Sequence, residues 1–507
     1  MNEQTGRTML SARWIVGHAE GRHTLVHRGE IVFERGQVIF VGHGFPGVVA
    51  RRIDYGEALI APGMIDLDAL SDLDTTVFSY DNHPEWKKGR TWPQSYMDRG
   101  PYEMYSPDEL AFQKRYAFAR LIRNGITTAL PIASLYYREW GETYAEFAAA
   151  AAAAEDLGMR VYLGPAYRTG NPVVADNGAV SLFFDEERGL QGLADAVRFC
   201  KDFEGKAFGR VRTMLAPDRI ETCTETLLSQ TALAGSELAV PVRLHCNQGR
   251  FERDTVRHLH GKTSVEWLDG LGFLNRRTLL PHGTYVSPSR NMDEAGHDLD
   301  IIRDRGSVIV HCPLVAARHG DALATFSSFR GKDIRLALGT DTAPPDMVLN
   351  MQVGMLVNRV LDRSVTTVRS EDYFDAATVG GADALGRPDL GRLQPGARAD
   401  IVVFDLSTPD VGPVIDPIQT LMLTGSGRDV RSVFIDGRPV MENRIIPGVD
   451  FDAYGRQAQR QFDAMTAKYP DRTVHHPPIS EIFSSAYPLI ESHSPVSGYA
   501  KIRHDTC

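Results

Sequence analysis

Cysteine is scarce. The five in this 507-residue chain (Cys200, Cys223, Cys246, Cys312, Cys507) are odd in number and include no CxxC pair. That excludes a disulfide framework and fits a reducing, cytoplasmic compartment. Basic excess is also lacking: 55 Lys and Arg against 65 Asp and Glu leave a formal charge of −10. A nucleic-acid or anionic-membrane partner would favour a basic face, so neither is expected. No stretch approaches the ~20 apolar residues that span a bilayer. The opening MNEQTGRTML has no apolar run behind a basic start, so no secretory signal is expected. Internal repeats and low-complexity linkers are absent too. The most apolar-looking run, Ala148–Ala154, is poly-alanine beside Glu146 and Glu155, which reads as a tightly packed amphipathic helix.

What is present is ordinary soluble composition, 43% hydrophobic and 24% charged, in a chain long enough for a large domain and a smaller one. Residues 8–60 alternate short β-like runs with turns at Gly29, Gly36 and Gly42. Similar runs return at Ile401–Phe404 and Ser432–Ile435. The expectation is one β-sandwich domain built from residues 1–60 and 386–450. Between them, residues 61–385 alternate strands and helices. Eight strand candidates occur, at Leu59–Ile65, Ala129–Ile132, Arg160–Gly164, Val211–Leu215, Val240–His245, Thr278–Leu280, Val308–Val310 and Ile334–Leu338. Eight such units predict an α/β fold, a (β/α)₈ TIM barrel. Residues 451–507 read as a helix (Asp452–Tyr469) and a Ser-, Pro- and His-rich tail lying on the surface or on a neighbouring subunit.

In a barrel, polar groups at the C-terminal ends of strands are the chemical candidates. VRLHCNQG places His245 there, TLLPHGTYV places His282, and LALGTDTAPPD places Asp341. Strand one, APGMIDLDALSDLD, carries Asp66, Asp68, Asp72 and Asp74. Each has a plainer reading: a hydrogen-bonded core imidazole for His245, an arginine-paired carboxylate for Asp68, helix capping or loop solvation for Asp72 and Asp74. Three polar groups at three separate strand ends favour a site. Cys246 is not expected to act as a nucleophile, because neighbours on a strand point to opposite faces.

The stretch from Pro62 to Asp68, the segments LQPGARADIVVFD and VFIDGRPV, and the run from His245 through SVEWLDGLGFL to His282 and IVHCP resemble the amidohydrolase superfamily. The likeness, over about residues 10–450, is to its deaminase and chlorohydrolase branch, including triazine hydrolases. The resemblance implies a hydrolase acting on a C–N or other leaving-group bond at an sp² carbon of a small, heterocyclic substrate. It implies that His245 binds a metal, that His282 polarises substrate, and that Asp341 binds the metal and takes a proton from its water. It also implies one divalent ion, zinc by family, in a homodimer or higher homo-oligomer.

Four positions depart from that pattern. Asp68 and Leu70 stand where the branch has its HxH pair, Asp218 where a histidine contacts substrate, and Gln248 where a glutamate shuttles protons. Gln248 cannot exchange a proton near neutrality. Asp68, His245 and Asp341 give an O, N, O donor set that zinc accepts. Replacing imidazole by carboxylate hardens the set and favours Mn²⁺ or Fe²⁺. The alternative is a metal-independent lyase or isomerase using Asp68, Asp218, His282 and Asp341 as acids and bases. Substrate contacts are expected from Trp86 and Trp92 in an aromatic, basic loop after strand one, from Arg168 after strand three, and from Asp218 and Gln248. The same loop is equally suited to a subunit contact.

Overall fold

The computed structural model describes residues 6–73, 91–289, 291–292, 295–473, 475–482 and 485–487. Trp86 and Asp74 lie outside them.

Both chain ends share one sheet. Strands Thr8–Ala19, Arg22–Glu34 and Gln37–Gly42 pair antiparallel in sequence order, while Arg51–Asp54 and Ala58–Pro62 lie parallel to the first. Ala58–Pro62 then pairs antiparallel with Ile401–Asp405, which continues through Val430–Ile435 to Arg438–Met441. The two N-terminal strands are longer than the short runs the sequence marks. Gly29 sits inside the second, paired with Ala12 of the first rather than in a turn. Leu10, Ile15, Ile31, Phe33, Ile60, Ile401 and Phe434 fill one side of this sheet.

Gly63 divides what reads in sequence as a single strand. Ala58–Pro62 belongs to the end sheet; Met64–Leu70 is the first barrel strand. Gly63 is required because a Cβ there would fall 2.1 Å from Thr127 Oγ1. The remaining barrel strands are Ile126–Ile132, Arg160–Leu163, Val211–Thr213, Val242–Arg243, Thr278–Pro281, Val308–His311 and Arg335–Leu338. Strands one to four pair in parallel order, as do five to eight. Parallel bridges Leu215–Val242 and Arg219–His245 join the two halves. The ring closes between strands eight and one, where the Asp341 amide donates to Asp68 O at 2.8 Å. Gly339 permits that approach, since a Cβ there would lie 2.5 Å from Asp68 Cβ.

The helices follow their local signals. Pro107–Arg123 starts at Ser106, whose side chain accepts from the Glu109 amide while Glu109 reaches back to the Ser106 amide, with Pro107 at the first turn. The poly-alanine helix Tyr144–Leu157 is capped by Thr143 and stopped by Gly158 in a left-handed conformation. Its small residues bring it close to both neighbouring helices. Helix Phe451–Lys468 leads into Tyr469–Arg472, and this C-terminal segment packs on the chain's own aromatic loop. Lys468 Nζ donates to Met104 O at 2.8 Å, and Tyr102 hydroxyl donates to Asp471 Oδ2 at 3.1 Å. Among the described residues, no helix is long and apolar enough to cross a membrane.

Candidate active site

Strand periodicity builds the floor of the site. On strand five Val242 and Leu244 join the apolar layer outside the barrel, so Arg243 and His245 face the other way. Cys246 returns to the outer layer, and burial pushes its thiol well above the ordinary range, which removes it as a nucleophile. On strand one, Asp66 accepts from the Asp68 amide, the Thr340 amide and Thr340 Oγ1 at 3.1, 3.0 and 2.6 Å. It ties strand eight to strand one. Burial, opposed by those hydrogen bonds, moves Asp66 up to about 7.

His282 stands between Asp68 and His245 on one side and Asp341 on the other, and the expected ligand trio of Asp68, His245 and Asp341 does not form one cluster among the described residues. Donor atoms of Asp68, His245 and His282 lie within 4.8 Å of one another, and so do those of His282, Cys312 and Asp341. His245 Nδ1 lies 2.7 Å from the backbone oxygen of Asp218, a bond that requires the proton on Nδ1. Nε2 is therefore bare, and it sits 3.6 Å from Asp68 Oδ1. The His282 ring stacks 5.5 Å from that of His245, and its Nε2 lies 4.0 Å from Asp341 Oδ2. His282 Nε2 is buried with no hydrogen-bond partner. Burial first, then the charges of Arg243 and Arg219, hold the His245 imidazole well below its ordinary value. Burial and the charge of Arg219 do the same to His282. Both rings are neutral at physiological pH, the form that ligates metals. His282 and Asp341 have left-handed backbones (φ 81° and 46°), as does Asn247 (φ 60°) beside them. Strain of this kind concentrates at functional sites.

Asp68 is fully buried beneath the cavity floor, and its Oδ1 accepts from Arg243 Nη1 at 3.2 Å. Burial raises its carboxyl above the usual range, and Arg243 opposes that rise. The plainer reading of Asp68, an arginine-paired carboxylate, is thus present alongside the ligand geometry. A carboxylate offers about four lone-pair positions, so one guanidinium bond does not exhaust it. The bare imidazole nitrogen of His245 and the Asp68 carboxylate, with a His282 nitrogen within 4.8 Å of both, suit a divalent ion, and Asp341 lies on the far side of His282.

Above this floor opens a cavity of about 330 Å³. Its lining includes His245, His282, Asp341, Arg168, Asp218 and Gln248, and Leu70 where the branch has its second histidine. Gln248 accepts from Arg219 Nη1, while its amide and that of Asn247 donate to Glu252. Trp92 stands behind the wall: its Nε1 donates to Tyr136 O at 3.1 Å, and it is packed by Arg168 and Arg472. Asp72 accepts from the Ser134 amide at 2.6 Å, a loop-fastening role. Arg318 donates to Thr342 Oγ1 and Ala343 O, holding the turn after strand eight, and His319 lines the cavity. Tyr105 buries against the chain's own C-terminal segment and Tyr96 against Trp92, while Tyr102 is exposed and touches Tyr96 and Asp471.

Three charged residues at the site were not singled out from sequence. Arg243 lies two positions before His245, so a period of two already places both on one face. Arg219 and Glu221 follow Asp218 in APDRIET and line the cavity. Burial, with the nearby Glu252 charge, raises the Glu221 carboxyl above its ordinary range.

A closed (β/α)₈ barrel with imidazoles at the ends of strands five and six and a carboxylate at strand eight is the build of a barrel hydrolase. The sequence pattern of the Amidohydrolase family matches residues 62–440, and the chain belongs to that family. It is 26% identical over 433 residues to a 5-methylthioadenosine/S-adenosylhomocysteine deaminase of Natronomonas pharaonis, covering 84% of this chain and 91% of the relative. It is 23% identical over 450 residues to a 5'-deoxyadenosine deaminase of Methanosarcina mazei, covering 87% and 95%. Among solved structures it resembles an adenosine deaminase from Xanthomonas campestris with bound zinc (TM-score 0.72, 18% identity, 91% and 98% covered). It also resembles a mutant atrazine chlorohydrolase from Arthrobacter aurescens complexed with zinc and atraton (TM-score 0.72, 20% identity, 90% and 99% covered).

Proposed function

We propose that this protein is a metal-dependent hydrolase that displaces an amino or comparable leaving group from an sp² carbon of a small heterocyclic substrate. The observation that carries this is the pair of neutral imidazoles, His245 with a bare Nε2 and His282 with a partnerless one, facing Asp68 and Asp341 at the cavity floor. Asp68, His245 and Asp341 would hold the ion, zinc by family and Mn²⁺ or Fe²⁺ by donor hardness. A divalent ion there supplies a water acidified from ~15.7 toward ~7.

This chain's own groups do the rest. Asp341, at the edge of the cavity, accepts the proton from the attacking water and returns it to the leaving group. His282 Nε2, as a neutral N–H, donates to the negative charge that develops on the ring atom next to the attacked carbon. Leu70 gives the floor an apolar side. Asp218, Gln248, Trp86 and Trp92 belong to the proposed substrate-holding set, Gln248 presented by Arg219 and Trp92 acting through Arg168. Incubation with a panel of aminopurines, aminopyrimidines and aminotriazines, with ammonia detection, tests the reading; no release from any metal-loaded preparation overturns it.

Arg243 on Asp68 favours a second reading, in which the guanidinium is the cation of the site and Asp341 and His282 perform metal-independent acid–base chemistry. Metal analysis of protein purified without chelator discriminates the two. Four described cysteines are buried and free, which supports a cytoplasmic setting. A homodimer is supported by exposed Leu356 and Val360, one helical turn apart, beside exposed Leu423 on the adjoining helix. Sedimentation of a monomer at micromolar concentration would contradict it.

A further inference from the structure

The proposed hydrolysis is one proton donor short. Asp341 carries the proton of the attacking water to the leaving group, and the product needs a further proton on the ring nitrogen beside the attacked carbon. His282 can polarise that nitrogen but cannot part with its N–H, which would leave an imidazolate. Gln248 has no proton to exchange near neutrality. Glu221, in the short turn Ile220–Thr222, is 8% exposed and lines the cavity with His245 and Gln248. Its turn is fastened to the rim of strand five, where the Ile220 amide donates to His245 O at 3.2 Å. No other described residue donates a hydrogen bond to the Glu221 carboxyl, and neither of its oxygens is among the sealed, partnerless atoms that Arg168 and Arg243 carry. Glu252, on helix Arg250–His260, is its like-charged neighbour on the same wall. Glu252 accepts from the Asn247 amide, the Gln248 amide and Ser264 Oγ at 2.7, 2.8 and 2.8 Å, bonds that favour its ionised form. Two neighbouring buried carboxyls do not both ionise readily, so Glu252 keeps the charge and Glu221 the proton. Burial and Glu252, opposed by Arg219, move the Glu221 carboxyl up to about 8. Glu221 also lines a second cavity of about 240 Å³, with Cys223, Glu225 and His260, which reaches the surface at Phe184 and Leu259.

We infer that Glu221 is the acid that protonates the substrate's ring nitrogen, a catalytic residue in a role that Gln248 cannot fill. In the first step the water oxygen bonds to the sp² carbon and the water proton goes to Asp341. The C=N electron pair moves onto the ring nitrogen, which takes the proton of Glu221. In the second step Asp341 protonates the amino group and its bond to carbon breaks. The hydroxyl proton returns to Glu221 as the C=O bond forms. The sum is amine plus water giving the oxo product and ammonia, with both carboxyls restored. Arg219, which donates to Gln248 and whose charge acts on Glu221, stabilises the Glu221 carboxylate between the two steps. This role rests on the hydrolase reading, and its test separates the two.

The experiment uses full-length, metal-loaded protein and whichever aminopurine, aminopyrimidine or aminotriazine releases ammonia fastest, with kcat followed from pH 6 to 10. Wild-type kcat should fall as pH rises through about 8, where the acid form of Glu221 is lost. Glu221→Gln is nearly isosteric and removes a like charge from beside Glu252. It should lower kcat roughly 10²–10⁴-fold and abolish that alkaline fall, with an unchanged circular dichroism spectrum. Glu252→Gln removes the like charge from the other side and should move the fall to lower pH by about one unit. An infrared difference spectrum at pH 7, without substrate, gives a second reading: the carbonyl band of a protonated carboxylic acid should be stronger in the wild type than in Glu221→Gln. If Glu221→Gln does not fold, Glu252→Gln decides, and a fall that stays in place counts against Glu221. Undiminished kcat in Glu221→Gln, an alkaline fall that persists in it, or identical infrared bands overturn this role and leave the hydrolase reading standing. No ammonia from any metal-loaded preparation sinks the hydrolase reading itself, and the role of Glu221 with it.

Discussion

Arg243 and Asp68 are buried together, 1% and 0% exposed, with Nη1 and Oδ1 at 3.2 Å. Replacing Arg243 by Met keeps much of the volume and leaves Asp68 as an uncompensated buried carboxylate. Replacing Asp68 by Asn strands the guanidinium instead. Breaking a buried pair from one side costs roughly 3–5 kcal/mol, whereas replacing both partners is often close to neutral. A chain of 507 residues has an unfolding entropy of roughly 1 kcal/mol/K near its midpoint. Each single substitution should therefore lower the midpoint by about 3–5 °C. The double variant Asp68→Asn/Arg243→Met should be no worse than the milder single one, a coupling of several kcal/mol. Scanning fluorimetry at one fixed heating rate measures all four proteins, and rate dependence is checked because large chains often unfold irreversibly. Additive losses, or no loss in Arg243→Met, would refute the claim that this ion pair organises the floor. Metal content adds an independent reading: Arg243→Met should retain or gain divalent ion, and Asp68→Asn should lose it.

Further expectations follow from the same geometry. Asp341→Asn should lower turnover by roughly 10²–10⁴-fold with an unchanged circular dichroism spectrum; substantial residual activity would remove Asp341 from the proton path. Asp66 sits at about 7 in the folded chain against an ordinary 3.8. Folding therefore takes up a proton between those values: this group's contribution is fully present below pH 4 and lost as pH rises through 7, by on the order of 4 kcal/mol. Asp66→Asn should flatten the fall in stability across that window, and denaturant titrations at pH 4.5 and 7.5 measure it. Removing residues from 469 onward takes away buried Tyr469 and the Arg472 guanidinium packed on Trp92, Tyr96 and Tyr137. A contact of that type is worth about 2 kcal/mol when desolvated. The truncated protein should melt several degrees lower with red-shifted tryptophan emission, and an unshifted spectrum would show that the segment does not clamp the wall.

The barrel was legible because its signals are local. Apolar runs of four to seven residues ending in His245, His282 and Asp341, each spaced by a helix, report strand and rim without knowledge of neighbours. The strand boundary at Gly63 was not legible, because only the closeness of Thr127 across the pair demands a glycine there. Arg243 could have been found from its spacing to His245, but its partner Asp68 lies 175 residues away. The aromatic loop illustrates the same limit. Tyr96, Tyr102 and Tyr105 look like pocket or subunit residues by composition, yet Tyr105 packs in one cluster with Met465, Tyr469 and Ile482. Arg168 was visible as a cation after strand three, while its want of partners is a three-dimensional fact.

The central question is whether Asp68, with His245 and Asp341, keeps a cation despite the arginine bound to it. A crystal of protein purified without chelator, measured above and below the absorption edges of zinc, iron and manganese, addresses this directly. The prediction is one anomalous peak within ligand distance of His245 Nε2, Asp68 and Asp341. A well-ordered floor with no such peak, and Arg243 alone facing the imidazoles, would contradict it.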